Sequence, residues 1–158
     1  MKWHGVVVSM KLGNTKLQSQ FLFVMQLHCA GMILIRNRKL LLAFSNNKQC
    51  FYLPGGKVDL KESAVEALCR EVREELSISV TEKDLTYYTH ITAPAFGEEA
   101  GIMMEQDCFL LTKEMEPIAS AEIGELRFFT LSDYTKQEQI APGVVQILQQ
   151  LKADGLLD

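Results

Sequence analysis

Apolar residues fall in short runs along the chain, each closed by polar or glycine-containing breaks. Leu27 to Ile35 is apolar and β-prone, Arg36-Asn37-Arg38-Lys39 is a polar break, and Leu40 to Phe44 is apolar again, a pattern that predicts a β-hairpin. Phe51-Tyr52-Leu53 reads as a short strand halted by Pro54-Gly55-Gly56. A helix is predicted from Ser63 to Leu76. Leu85 to Ala93 alternates like a strand, and Ile102 to Leu111 is another, with the acidic loop Pro94 to Gly101 between them. Leu126 to Leu131 is the last predicted strand. A closing helix covers Gly143 to Ala153, with Val144, Ile147, Leu148 and Leu151 at helical spacing. Strands with two intervening helices predict an α/β sandwich.

Residues 1–24 show no clear period and are read as an amino-terminal extension, whether an extra strand, a leader, or sequence upstream of a start at Met25. Residues 25–158 are read as one domain. The apolar stretch Phe21 to Ile35 is interrupted by Gln26 and His28 and is shorter than a membrane span. No small-residue cleavage site follows it, so no signal peptide is expected.

The predicted helix carries two different faces. At about 100° per residue, Val65, Leu68, Cys69, Val72 and Leu76 share one arc, the core face. Glu71, Glu74 and Glu75, spaced i, i+3 and i+4, share a neighbouring arc with Ala64 and Ala67, whose small side chains are expected to leave space beside the carboxylates. Three like charges this close repel, each pair costing a few tenths of a kcal/mol (about 0.2–0.5). A bound hard cation reverses that cost, because Mg²⁺ takes carboxylate oxygens, waters and substrate phosphates. Before the helix, Leu53-Pro54-Gly55-Gly56-Lys57-Val58 places two glycines where backbone can approach a ligand closely.

The chain has 158 residues, one domain's length, with 47% hydrophobic and 23% charged residues. Its net charge of -4 argues against a general nucleic-acid binder, which needs a basic surface. It leaves room for a phosphorylated small molecule, since bound metal inverts the local sign. Cys29, Cys50, Cys69 and Cys108 form no C-x-x-C pair and cluster with no histidine, which excludes structural zinc and a disulfide framework as expectations. Free thiols in a reducing cytosol, and hence a cytoplasmic protein, are expected.

Gly56, five residues, Glu62, seven residues, then Arg70-Glu71-Val72-Arg73-Glu74-Glu75-Leu76-Ser77-Ile78 resembles the box of the Nudix hydrolase family (MutT-like). Six fixed positions matched by chance, at roughly 6% each, would appear in on the order of one chain in 100,000 of this length. Ser77 stands where the family has glycine, just past the helix end, where a left-handed conformation is often wanted. Serine adopts it at a cost of about 1 kcal/mol.

The resemblance implies a Nudix-type α/β/α sandwich, a mixed β-sheet flanked by helices. It also implies a metal-dependent pyrophosphohydrolase that cleaves a diphosphate linkage in a nucleoside diphosphate derivative (a nucleoside triphosphate, a dinucleotide or a nucleotide sugar) by attack of water at phosphorus. The implied metal is Mg²⁺, with Mn²⁺ as an alternative, held by Glu71, Glu74, Glu75 and the carbonyl of Gly55. Glu71, Glu74 and Arg70 are implied catalytic residues, Arg70 by fixing a site carboxylate through a bidentate pair. Gly56 and Lys57 are candidates for contact with the substrate, and Glu62 for capping or positioning the loop. A carboxylate within hydrogen-bond reach must take the water's proton; Glu98, Glu99, Glu105 and the box glutamates are the candidates, the first two in a loop that could act as a flap.

Specificity signals are weaker. Pro94 lies sixteen residues past Ile78, near where ADP-ribose-cleaving relatives tend to carry proline. Phe51, Tyr52, Tyr87, Tyr88 and Phe96 are candidates to stack a base. Two rival readings are a non-catalytic nucleotide-sensing Nudix module and an isoprenoid diphosphate isomerase of the same fold, the latter needing a catalytic cysteine such as Cys50 or Cys108. The expected partner is a nucleotide-like small molecule, without membrane or stable nucleic-acid partner. A homodimer is plausible if the amino-terminal segment crosses to a second copy.

Overall fold

The computed structural model describes residues 5–6 and 24–158. The expectations for the other amino-terminal residues, including a crossing to a second copy, lie outside the described residues. The strands are β1 (Gly5–Val6), β2 (Val24–Ile33), β3 (Ile35–Arg36), β4 (Lys39–Ser45), β5 (Cys50–Tyr52), β6 (Gly55–Lys57), β7 (Leu85–Pro94), β8 (Ile102–Leu111) and β9 (Ile123–Phe129). The helices are α1 (Ala64–Leu76), α2 (Leu131–Tyr134) and α3 (Pro142–Ala153), with one 3-10 turn at Glu82–Asp84. No described helix is long and apolar enough to cross a membrane.

A mixed sheet is built around β2. It pairs antiparallel with β1 and β6 and parallel with β8, which pairs antiparallel with β7. A second, antiparallel sheet is built around β4, which pairs with β3, β5 and β9. The predicted hairpin is corrected here. Residues 27–33 leave the first apolar run for the mixed sheet, and only Ile35 and Arg36 pair with Leu40 and Lys39. The turn residues Asn37 and Arg38 both have positive φ, 49° and 58°, the backbone sign that matches a two-residue hairpin turn to strand twist. A parallel partner for β2 comes from β8, far along the chain, which no local pattern announces.

Side chains alternate across a strand, and that alternation divides the apolar residues between two cores. Ala30, Met32, Leu34, Leu41 and Phe109 pack with Leu68, Val72 and Leu76 of α1. Ile33, Leu40, Leu42 and Cys108 pack with Ile147, Leu148 and Leu151 of α3. The result is the expected α/β/α sandwich, with the helices on either side of the β-structure.

Several boundaries move, and β9 begins at Ile123 rather than at the predicted Leu126. The last strand ends at Phe129, because Thr130 starts a capping box: its hydroxyl accepts from Asp133 N at 3.1 Å and its N–H donates to the Asp133 carboxylate at 3.3 Å. Leu131 therefore opens α2, a helix absent from the sequence reading. Helix α3 begins at Pro142, since proline is well placed in a first turn. Ser63 caps α1 through a capping box with Glu66, so the predicted start of that helix holds.

Candidate active site

A cleft of about 440 Å³ opens between the two sheets, bordered by one side of α1 and the first turn of α3. Its charged end is built on β6 and α1. Gly55, with φ of 137°, is held against β2 so closely that a Cβ would stand 2.1 Å from the Ala30 carbonyl oxygen. Its N–H donates to Glu75 Oε2 at 2.9 Å. At Gly56 a Cβ would lie 2.5 Å from the Glu71 carboxyl carbon, so the glycine makes the space that the carboxylate occupies.

Glu75 is only 7% exposed. Burial pushes its carboxyl up to about 8, against the Gly55 N–H, and the neighbouring Glu71, Glu122 and Glu74 push the same way. Arg70 fixes the opposite flank. Its Nε and Nη2 donate to the two oxygens of Glu62, each at 2.9 Å. Its Nη1 donates to Glu71 Oε1 at 2.6 Å and its Nη2 to the Lys57 carbonyl at 3.2 Å. Hydrogen bonds from Arg70 in turn hold Glu62 below the usual carboxylate range. One guanidinium thus ties the glycine loop, the entry to α1 and a site carboxylate together.

The predicted residues are not all brought together. Glu71, Glu75, Arg70, Gly55, Gly56 and Lys57 line the cleft. Glu74 is exposed and lines a separate shallow groove beside Arg73 and Glu66. Ala67, expected to leave space beside the carboxylates, is completely buried instead, because the acidic arc of α1 also leans on the β-structure. Of the three carboxylates outside the box, Glu98 lines the cleft, paired to Lys48 at 3.0 Å and Lys57 at 3.4 Å. Burial alone would raise Glu98, but the two lysines bring it below its ordinary value. Glu99 is exposed. Glu105 projects from the face of β8 opposite Met104 and Gln106 and bonds His90 and Thr92.

Among the described residues no three His, Cys, Asp or Glu side chains converge closely enough to hold a metal ion by themselves. The donor chemistry nonetheless fits Mg²⁺, which commonly takes one or two carboxylates and completes its shell with water and substrate phosphate. Two carboxylates, Glu71 and Glu75, face the same cleft. Cys50 and Cys108 are buried in the core and line no part of it, and burial pushes the Cys108 thiol up to about 12. Neither is placed as the catalytic cysteine that an isomerase would need.

Of the candidate aromatics, Tyr52 and Phe96 line the cleft, their ring centroids 6.2 Å apart. Phe51 is in the core, Tyr87 is exposed and Tyr88 packs beside α3. Among the cleft residues that escaped sequence reading are Lys48, Gln106 and Glu122. Lys48 and Glu122 sit in turns without period. Gln106 carries a legible signal, since it falls in phase with Ile102, Met104 and Cys108 on a strand whose inward positions are otherwise apolar.

A family model described as NUDIX domain matches residues 25–151. No curated protein matches the sequence. Among solved structures, a MutT NUDIX hydrolase from Burkholderia pseudomallei is similar at 24% identity, covering 79% of this chain and 96% of that one, with a TM-score of 0.62. A MutT protein from Methanosarcina mazei is similar at 17% identity over 82% of this chain and 95% of that one, with a TM-score of 0.64. An Ap4A hydrolase from C. elegans is similar at 23% identity over 80% of this chain and 96% of that one, with a TM-score of 0.62. At these identities the structures show a shared fold.

Proposed function

Because the chain belongs to the Nudix family, whose members hydrolyse nucleoside diphosphate derivatives, we propose that it cuts its substrate by metal-dependent attack of water at phosphorus in the Glu71–Glu75 cleft. The observation that carries this is the pairing of a buried carboxylate, Glu75, with Glu71 at the glycine loop, in a cleft open to a ligand. A divalent cation bound there would offset the diphosphate charge and make bound water more acidic. Glu71 and Glu75 would hold it, with the Gly55 backbone and Glu74 as the further ligands that family resemblance implies. In the present geometry Gly55 meets the site through its N–H.

The chain's own residues account for the remaining work. Arg70 keeps Glu71 aimed into the cleft and holds the Lys57 carbonyl, so the loop and helix keep one spacing. Lys57 and Lys48, both on Glu98, present ammonium groups at the cleft, where they support binding of a phosphorylated ligand. Proton removal falls to a carboxylate lining the cleft; from outside the box Glu98 and Glu122 both line it, and Glu98, which the sequence already singles out, is the candidate. Nucleoside triphosphates, dinucleotides and nucleotide sugars are the proposed substrate classes. The Ap4A hydrolase neighbour supports the dinucleotide among them. Retention of Glu71, Glu74 and Glu75 supports catalysis over nucleotide sensing. The four unpaired cysteines support a reducing, cytoplasmic setting.

The test is hydrolysis of a panel of these substrates with Mg²⁺. Glu75→Gln should reduce turnover by 100-fold or more, about 2.7 kcal/mol of transition-state stabilisation, while circular dichroism shows an intact fold. Full metal-dependent activity in that variant would falsify the assignment.

A further inference from the structure

Strand β8 sends Ile102, Met104 and Cys108 toward the interior, and Gln106 shares their phase. Gln106 is 8% exposed, and it lines the cleft. Its side-chain nitrogen and amide carbon stand 2.9 Å and 3.1 Å from where a Cβ on Gly31 would be, so the amide lies over a glycine of β2 that leaves it room. Gly31 is in register with Gly55, whose N–H holds Glu75. The glycine beneath the amide therefore lies one strand spacing, ~5 Å, from the glycine that holds Glu75.

Among the described residues the Gln106 side-chain amide has no hydrogen-bond partner; the Cys108 thiol donates to the Gln106 backbone oxygen instead. No sealed side-chain nitrogen or oxygen among these residues is left unpaired, so the amide keeps access to the cleft. A ligand that fills the cleft must cover it. Covering an amide with hydrocarbon leaves its donor and acceptor unpaired, which disfavours an aliphatic group at this point. The surrounding walls, Leu53, Met104 and Val144, are apolar, and the Tyr52 and Phe96 rings stand at the cleft. Apolar walls disfavour a sugar, which brings hydroxyls on every side. A flat heteroaromatic ring with a donor beside an acceptor satisfies both conditions, because the glutamine amide offers the complementary pair in one plane.

We propose that Gln106 selects the substrate by hydrogen-bonding the edge of a nucleobase inserted between the two sheets. The inference rests on the pyrophosphohydrolase reading for the position of the diphosphate, at Glu71 and Glu75. It goes further in assigning which side chain reads the base that those substrates carry. Either orientation of the amide meets a donor–acceptor edge, so the residue separates substrates with a base from those without one more sharply than it separates bases from one another.

Titration calorimetry on the full chain, without added metal, tests this with AMP, GMP, CMP, UMP and base-free ribose 5-phosphate. These ligands contain no diphosphate, so binding is read independently of hydrolysis. At least one nucleotide should bind tenfold or more tightly than ribose 5-phosphate, about 1.4 kcal/mol. Gln106→Leu and Gln106→Met should erase that advantage by about tenfold and keep ribose 5-phosphate within twofold. With Mg²⁺ and the matching triphosphate, the loss should appear mainly in KM. Equal weakening of all five ligands would place the amide on sugar or phosphate and overturn the proposal. Unchanged nucleotide affinity in a folded variant, or no base preference in the unaltered protein, overturns it too. If both variants fail to fold, the contact is read on the unaltered protein with an analogue of the preferred nucleotide lacking its exocyclic group: tenfold weaker binding supports the proposal, and equal binding sinks it. Base preference without hydrolysis removes the reaction and keeps this recognition. Hydrolysis without base preference does the reverse.

Discussion

At Gly56 a side chain is excluded by the neighbour it serves, the Glu71 carboxylate. The same logic runs through the site: glycine at 31 gives room to the Gln106 amide, and glycine at 55 lets β6 press against β2. Ser77 is the contrary case. It ends α1 in the left-handed conformation, φ 53° and ψ 29°, as its place after the helix predicts, but with a side chain. Serine there carries a steric cost of about 1 kcal/mol, partly offset because glycine would lose more chain entropy on folding. Ser77→Gly should therefore stabilise the fold by about 0.5 kcal/mol or slightly more. Urea unfolding should show a higher midpoint with an unchanged slope. A lower midpoint would show that Ser77 makes compensating contacts.

Helix α1 does its work through both of its faces. Leu68, Val72 and Leu76 anchor it in one core, and that anchoring presents Glu71 and Glu75 to the cleft. The loop of residues 95–101 is the segment set opposite. Lys48 Nζ donates to the Phe96 carbonyl at 3.3 Å and to Glu98 at 3.0 Å, and the Tyr52 hydroxyl donates to the Phe96 carbonyl at 3.5 Å. One lysine thus holds the loop down over the cleft. Lys48→Met keeps most of the aliphatic stem and removes the ammonium. It should raise amide hydrogen exchange in residues 95–101 severalfold, with exchange in α1 and β8 unchanged. Identical exchange in the loop would mean that Tyr52 and backbone contacts suffice to hold it.

Across the whole molecule, the mixed sheet extends beyond the cover of α1, and polar residues occupy the open area. His90 bridges Asp107 at 2.8 Å and Glu105 at 2.6 Å, His28 meets Asp107 at 3.0 Å, and Thr92 donates to Glu105 at 2.7 Å. Hydrogen bonds that His90 donates to the Asp107 and Glu105 carboxylates raise its pKa above the ordinary value. Protonated His90 is therefore favoured in the folded state. Its contribution is fully present below the unfolded histidine value, ~6.5, and is lost as pH rises through the higher folded value. The side chain is 40% exposed, so solvent screening limits the effect to about 1 kcal/mol or less. Unfolding free energy measured across that window should decline with pH, and His90→Gln should flatten the decline. A slope unaltered by the substitution would assign it to other groups. The whole-molecule view also separates two kinds of information. Helix α1, its start near Ser63, its left-handed end at Ser77 and the acidic arc were legible in the chain, because periodicity and i, i+4 spacing are set by near neighbours. The parallel pairing of β2 with β8, the departure of Glu105 to the outer face and the arrival of Lys48 and Glu122 at the cleft were not. They depend on which distant strands share an edge and on which face a side chain emerges, and strand pairing between remote segments settles both.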